Sequence, residues 1–169
     1  MNLSLLRQAC CILVSLFLFI ACNQSRHIIS SHAEKDREFS QLRGKKIDQL
    51  LLAAGGVLGK AYRLGSAGPR AFDCSGLTRF VFDKINMTLP RKAKDQAETG
   101  TAIPLKLVRE GDLLFFGHRR VHHVAIVSKV KRGNIYITHA TTSRGVVEEK
   151  LEDSEYWSSK LKMARRVIM

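Results

Sequence analysis

The sequence predicts an α+β domain, with helices in its first half packed on an antiparallel sheet made from its second half. Three observations carry this. Between residues 42 and 85, apolar side chains recur at spacings of three and four, the period of a helix with one buried face. From Asp112 onward, the apolar residues fall into short runs rich in Val, Ile, Phe and Leu, separated by Gly and basic residues, the pattern of strands and turns. The length of 169 residues, without an internal repeat, fits one compact domain plus an appendage.

The appendage is N-terminal. Arg7 precedes an apolar run from Ala9 to Ala21, broken only by Ser15. That run is shorter than the roughly 20 residues of a spanning helix and suits the apolar region of an export signal. It ends in Ala21-Cys22-Asn23, a small residue before a Cys, which resembles a bacterial lipobox with Phe19 where Leu is usual. Residues 1–21 are therefore read as a lipoprotein signal peptide, with Cys22 as the acylated residue that holds the chain to a bilayer. A plain secretory signal with unmodified Cys22 and an uncleaved anchor are the alternatives. Asn23 resembles the outer-membrane sorting pattern of Gram-negative lipoproteins, which places the protein on the periplasmic face of the outer membrane. In another envelope it would sit on the outer face of the cell membrane. Residues 22–41 are polar and poorly periodic, and read as a flexible tether before a domain spanning 42–169.

Along the domain, Ile47, Leu50, Leu51, Ala54, Val57 and Leu58 mark an amphipathic helix over 42–60. Gly65, Gly68 and Pro69 make 62–72 a loop. Asp73 can cap a second helix from Cys74 to Ile85, whose apolar face is Leu77, Phe80, Val81 and Ile85. A short helix over Lys92 to Thr99 ends at Gly100. Strands are predicted at 112–116, 122–130, 134–138, 146–151 and 163–168.

With 28 Lys plus Arg against 15 Asp plus Glu, the formal net charge is +13. The basic excess is densest over 111–147, in Arg119-Arg120, Lys129 to Arg132 and Arg144. Such charge attracts anions. Export and sparse aromatic interleaving exclude nucleic acid. Carboxylate-bearing substrates fit, as does a merely solvated basic surface.

Of four cysteines, Cys10 and Cys11 leave with the leader and Cys22 carries lipid. Cys74 then remains as a lone thiol in an exported chain, open to intermolecular pairing, a buried structural role or nucleophilic chemistry. The local sequence Phe72-Asp73-Cys74-Ser75-Gly76 puts it at a helix start. Unpaired N–H groups and the helix dipole there favour a thiolate and can hold an oxyanion. A lowered thiol pKa follows as an expectation.

A cysteine nucleophile needs a base. His27 and His32 fall in the tether and His118 in a basic turn, which leaves His122, His123 and His139. A hairpin turning near Lys131-Arg132-Gly133 places residue 123 level with 139 to 142, so His123 and His139 are opposite or diagonal neighbours. His122 points to the other face. Taken singly, either histidine could be an ordinary strand residue. Together they supply a base and its orienting group after a helix-capping Cys. Zinc ligation by Cys74, His123 and His139 is disfavoured, because no close-spaced ligand pair accompanies them.

Several motifs in order resemble the NlpC-type cell-wall cysteine peptidases: Tyr62-Arg63-Leu64-Gly65, Asp73-Cys74-Ser75-Gly76-Leu77, Leu89-Pro90-Arg91 with Gln96 and Gly100, Gly111-Asp112-Leu113, His123-Val124-Ala125-Ile126 and His139-Ala140. The tail through Thr142 to Val146, Tyr156-Trp157 and Ala164 to Val167 is similar to the Spr (MepS) murein endopeptidase lipoproteins within that family. The resemblance implies a small papain-like α+β fold that cleaves peptide bonds in peptidoglycan stems or cross-links. It makes Cys74 the nucleophile, His123 the base and His139 the orienting third member, with no metal or organic cofactor and a monomeric chain. It also implies that Tyr62 positions the carbonyl and that Asp73, Ser75 and Arg63 serve substrate binding. Ser66 departs from the pattern, where a second Gly usually follows Gly65. An amidase or acyltransferase on the same fold, and a non-catalytic wall-binding lipoprotein, are the rival readings.

Overall fold

A computed structural model describes residues 34–169. The expected signal peptide, Cys22 and the expected tether up to residue 33 lie outside the described residues. Residues 34–55 form helix α1, so residues 34–41, expected to belong to a flexible tether, are helical. No helix among the described residues is long and apolar enough to cross a membrane.

Residues 43–169 form one compact unit. After α1 come β1 (Ala61–Tyr62), β2 (Ala71–Phe72), α2 (Cys74–Asp83) and α3 (Ala93–Gln96). Then follow β3 (Thr101–Ile103), β4 (Leu113–Phe116), β5 (His123–Lys131), β6 (Asn134–Thr141), β7 (Gly145–Lys150), α4 (Glu155–Ser158) and β8 (Leu161–Arg166). Six strands make one antiparallel sheet in the order β3-β8-β4-β5-β6-β7. The expected helices-then-sheet arrangement holds. The segment expected as a loop over 62–72 instead closes a two-stranded parallel pair, Ala61 with Ala71 and Tyr62 with Phe72. Two-residue strands are too short to show a period. Their pairing sets Tyr62 beside the start of α2.

Both faces of the sheet are covered. On one, Leu113, Phe115, Val124 and Ile126 meet Leu77, Val81 and Phe82 of α2 and Leu50 and Ala54 of α1. On the other, Leu114, Phe116, Ala125, Val127 and Ile137 form a smaller cluster with Leu151 and Trp157. This explains the unalternating Leu-Leu-Phe-Phe of β4, which is buried throughout. Each buried Phe there stabilises the fold by about 1.5–3 kcal/mol.

The β5–β6 hairpin contains a bulge. Lys129 pairs with Tyr136, but Val127 pairs with Ile137, leaving Ser128 as the extra residue. Beyond it Ile126 pairs with Thr138. Continued in that register, Ala125 is level with His139 and His123 with Thr141, so both histidines share the Trp157 face. An unbulged hairpin would set His139 level with Ile126, on the face of Val124 and His122.

Candidate active site

The first turn of α2 is fixed by one carboxylate. Asp73 has extended backbone and its Oδ1 accepts from Gly76 N at 2.7 Å, the N-cap read from the sequence. Oδ2 accepts from Gly65 N at 2.8 Å. Arg91 donates to Oδ1 at 3.0 Å and to Oδ2 at 2.5 Å, and also to Ser75 Oγ at 3.1 Å. Gly76 is required at its position, because a Cβ there would lie 2.1 Å from Ser66 O. The helix start and the 66–67 turn therefore pack backbone against backbone. Cys74, at the first helical position, is partly buried, and its Sγ lies 4.0 Å from His122 O as a donor.

His123 opens β5, and its Nε2 lies 2.9 Å from His139 Nδ1. His139 Nε2 in turn lies 2.7 Å from Glu149 Oε1 on β7, and Arg144 donates to Glu149 Oε2 at 2.7 Å. Trp157 stacks on His123 with ring centroids 4.3 Å apart at 22°, and meets His139 edge-on at 5.0 Å. With Nε2 of His123 engaged by His139, Nδ1 is its remaining polar atom.

The electrostatics depart from expectation at the thiol. Burial raises the Cys74 pKa above its ordinary value. The backbone N–H groups of Val124, Ser75 and Cys74 favour the anion, but the adjacent Asp73 carboxylate opposes it. The helix terminus expected to lower the pKa is thus outweighed by desolvation, an effect sequence spacing does not report. Burial also pushes His123 well below the ordinary histidine value, helped by His139 and His122. His139 is lowered by burial too, partly offset by Glu149. The resting pair is therefore a thiol beside a neutral imidazole. Tyr62 is raised by burial and by Cys74 and Asp73, so it remains a phenol able to donate.

Two buried neutral histidines impose a pH dependence on stability. Their folded pKa values lie below the unfolded value near 6.5, so the unfolded chain binds more protons between the two. Their contribution is complete above about pH 6.5 and declines as pH falls toward the folded values. Thermal unfolding followed by circular dichroism should show a Tm that is flat above pH 7 and falls below pH 6.5. A Tm constant from pH 7 to 5 would remove this account.

Two clefts meet at Cys74. One, of about 470 Å³, is lined by Tyr62, Cys74, His123, Thr141, Arg144 and Trp157, among others. The other, of about 500 Å³, is lined by Tyr62, Asp73, Cys74, Ser75, Arg91 and Lys94, among others. The structure thus brings Cys74, His123, Tyr62, Asp73 and Ser75 to one groove, with His139 fully buried behind His123. Arg63 is exposed and lines neither cleft, since neighbouring residues of an extended segment point to opposite sides. Asp73 reaches the groove with its carboxylate already engaged by Gly65, Gly76 and Arg91. Among the described residues no group of three or more His, Cys, Asp or Glu is arranged to hold a metal.

Three groups escaped the sequence reading. Arg91 was visible only as part of Leu-Pro-Arg, without its partner. Glu149 sits in an ordinary Val-Val-Glu-Glu-Lys strand, and only the pairing of His139 with Val147 shows that β7 passes beside the histidine. Trp157 was visible only as part of the tail motif Tyr156-Trp157, and its stacking on His123 had no signal.

Residues 59–166 match the NlpC/P60 family model. The gamma-DL-glutamyl hydrolase of Bacillus subtilis is 35% identical over 118 residues, covering 66% of this chain and 27% of the relative. The murein DD-endopeptidase MepS/murein LD-carboxypeptidase of Escherichia coli is 34% identical over 112 residues, covering 65% and 57%. This chain thus spans between about a quarter and just over half of the length of these relatives. A solved Staphylococcus aureus protein, described as similar to lipoprotein, NLP/P60 family, superposes with a TM-score of 0.63 at 35% identity, covering 74% of this chain and 42% of that one. The match begins just before β1 and closes with β8, so it takes in the whole groove and sheet, and the chain belongs to the NlpC/P60 family.

Proposed function

We propose that this protein is a lipid-anchored cysteine endopeptidase that hydrolyses peptide bonds in peptidoglycan stems or cross-links. The observation that carries it is a thiol at a helix N-terminus sharing one groove with His123, whose far nitrogen is held 2.9 Å from His139. The relatives' names add to it: murein DD-endopeptidase, murein LD-carboxypeptidase and gamma-DL-glutamyl hydrolase all describe hydrolysis next to D residues. The lipid anchor rests on the leader and on Cys22.

In this reading His123 Nδ1 takes the Cys74 proton as Sγ attacks the scissile carbonyl. The N–H groups at the start of α2 hold the oxyanion. His123 then gives the proton to the leaving amine, and next activates the water that releases the acyl group from Sγ. Tyr62 donates to the carbonyl region. Arg91, held by Asp73 and Ser75, presents a cation to the groove, suited to a stem-peptide carboxylate. Arg63, outside the groove, has a role only with a substrate that extends beyond it.

The test is incubation of the full chain, in detergent micelles, with purified peptidoglycan fragments followed by mass spectrometry. Products should be fragments split at a peptide bond. Intact stems with sugar strands cut instead, or no products, would overturn the proposal. Labelled fatty acid incorporated into the wild type and absent from C22S would support the anchor.

A further inference from the structure

The two histidines leave an ambiguity that a third group resolves. A hydrogen bond between His123 Nε2 and His139 Nδ1 needs one proton between the two nitrogens. If it sits on His139 Nδ1, His123 must carry its own proton on Nδ1, which then cannot accept one. If it sits on His123 Nε2, Nδ1 of His123 holds a free lone pair. The hairpin permits both arrangements.

Glu149 does not. Its Oε1 lies 2.7 Å from His139 Nε2, and a carboxylate only accepts. His139 is fully buried, so no water competes for that nitrogen. Arg144 holds the other carboxylate oxygen at 2.7 Å. Burial raises the Glu149 pKa, but the hydrogen bonds from Arg144 and His139 outweigh it and keep the group ionised.

We propose that Glu149 is a positioning residue that sets the tautomers of both histidines. Its carboxylate draws the His139 proton to Nε2, His139 Nδ1 then accepts from His123 Nε2–H, and His123 Nδ1 is left as the base. This rests on the reading of Cys74 as nucleophile and His123 as base, and extends it to a fourth residue. When the Cys74 proton moves to His123 Nδ1 and the S–C bond forms, the carbonyl π pair goes to the oxyanion. The His123 imidazolium is stabilised through its Nε2–H bond to His139, which Glu149 holds in place without taking a proton. The other groups facing the pair are His122 just before β5, Arg144 before β7 and Trp157 of α4. None of them accepts a hydrogen bond from His139 Nε2.

Nitrogen-15 spectra of the full chain with labelled histidine read the tautomers without any substitution. At neutral pH, His139 should be protonated on Nε2 alone and His123 on Nε2 alone. Protonation of His139 on Nδ1 would overturn the proposal. E149Q keeps the shape but can donate as well as accept, so both histidines should become tautomer mixtures. Its kcat should fall about 10–100-fold with KM unchanged. A kcat within twofold of wild type would overturn this role of Glu149 while leaving the proposed function standing. Correct tautomers in a chain that cleaves no peptidoglycan peptide would support this role of Glu149 and overturn the proposed substrate.

Discussion

Replacing His123 by alanine is expected to lower kcat by about 10³-fold or more while the protein still folds. The reason lies in the state of the thiol. Burial holds the Cys74 pKa above its ordinary value, so little thiolate exists near neutral pH without a partner to take the proton. His123 is the base within the groove, and the same imidazole protonates the leaving amine. General acid–base groups of this kind contribute about 10²–10⁴-fold, and loss of the nucleophile costs at least as much. Cys74→Ala should therefore be as inactive as His123→Ala, and the double variant no worse than either. Alkylation by iodoacetamide gives a second readout. It should accelerate steadily as pH rises past 8.5 in both wild type and H123A, because the resting thiol is protonated. Wild-type reactivity that plateaus below pH 7 would show a preformed thiolate and overturn this account. An H123A enzyme with kcat within tenfold of wild type would remove His123 as the base.

Arg91→Ala should destabilise the fold by loosening the start of α2. The Asp73 side chain is 7% exposed and Arg91 is 34% exposed. Removing one partner of a fully buried pair costs about 3–5 kcal/mol, because the other charge is left desolvated. Here Arg91 is partly solvated, and Asp73 keeps the Gly65 and Gly76 N–H groups, so about 2 kcal/mol is expected, or a Tm lower by roughly 6–10 °C. The sign with pH is fixed. Burial raises the Asp73 pKa, but hydrogen bonds from Arg91, Gly76 and Gly65 together with the Arg91 charge hold it below the ordinary carboxylate value. Its stabilisation is present above the unfolded value near 3.9 and lost as pH falls through the folded one. The difference between wild type and R91A should be largest near neutrality and shrink in acid. Equal stability at pH 7, or a gap that widens in acid, would show that Asp73 does not depend on Arg91. KM should rise in the same variant if Arg91 meets a substrate carboxylate.

Helices α1 and α2 and the strands from β4 to β8 were legible because their apolar periods are local properties, whereas α4 is a single short turn that carries none. Leu77 and Val81 are four apart on one face of α2, and the Val-Ala-Ile-Val of β5 can only be a buried strand or core helix. Strands β1, β2 and β3 were not legible, since two or three residues carry no period. The N-cap Asp73 and the Cys74 thiol after it were legible for the same local reason. Arg91, Glu149 and Trp157 were not, because an arginine, a glutamate and a tryptophan at those spacings read as surface or packing residues until the chain folds.

The sequence by itself therefore determined the α+β order of elements, the capped helix that carries Cys74 and the hairpin that brings His123 near His139. Only the tertiary structure decided which histidine faces which. One extra residue at Ser128 moves the pairing from Lys129–Tyr136 to Val127–Ile137, and strands alternate with a period of two, so that single step puts His139 on the face of His123 rather than His122. Burial, equally a property of the folded whole, raises the pKa of the Cys74 thiol at the helix start, against the expected lowering, and makes it depend on its base.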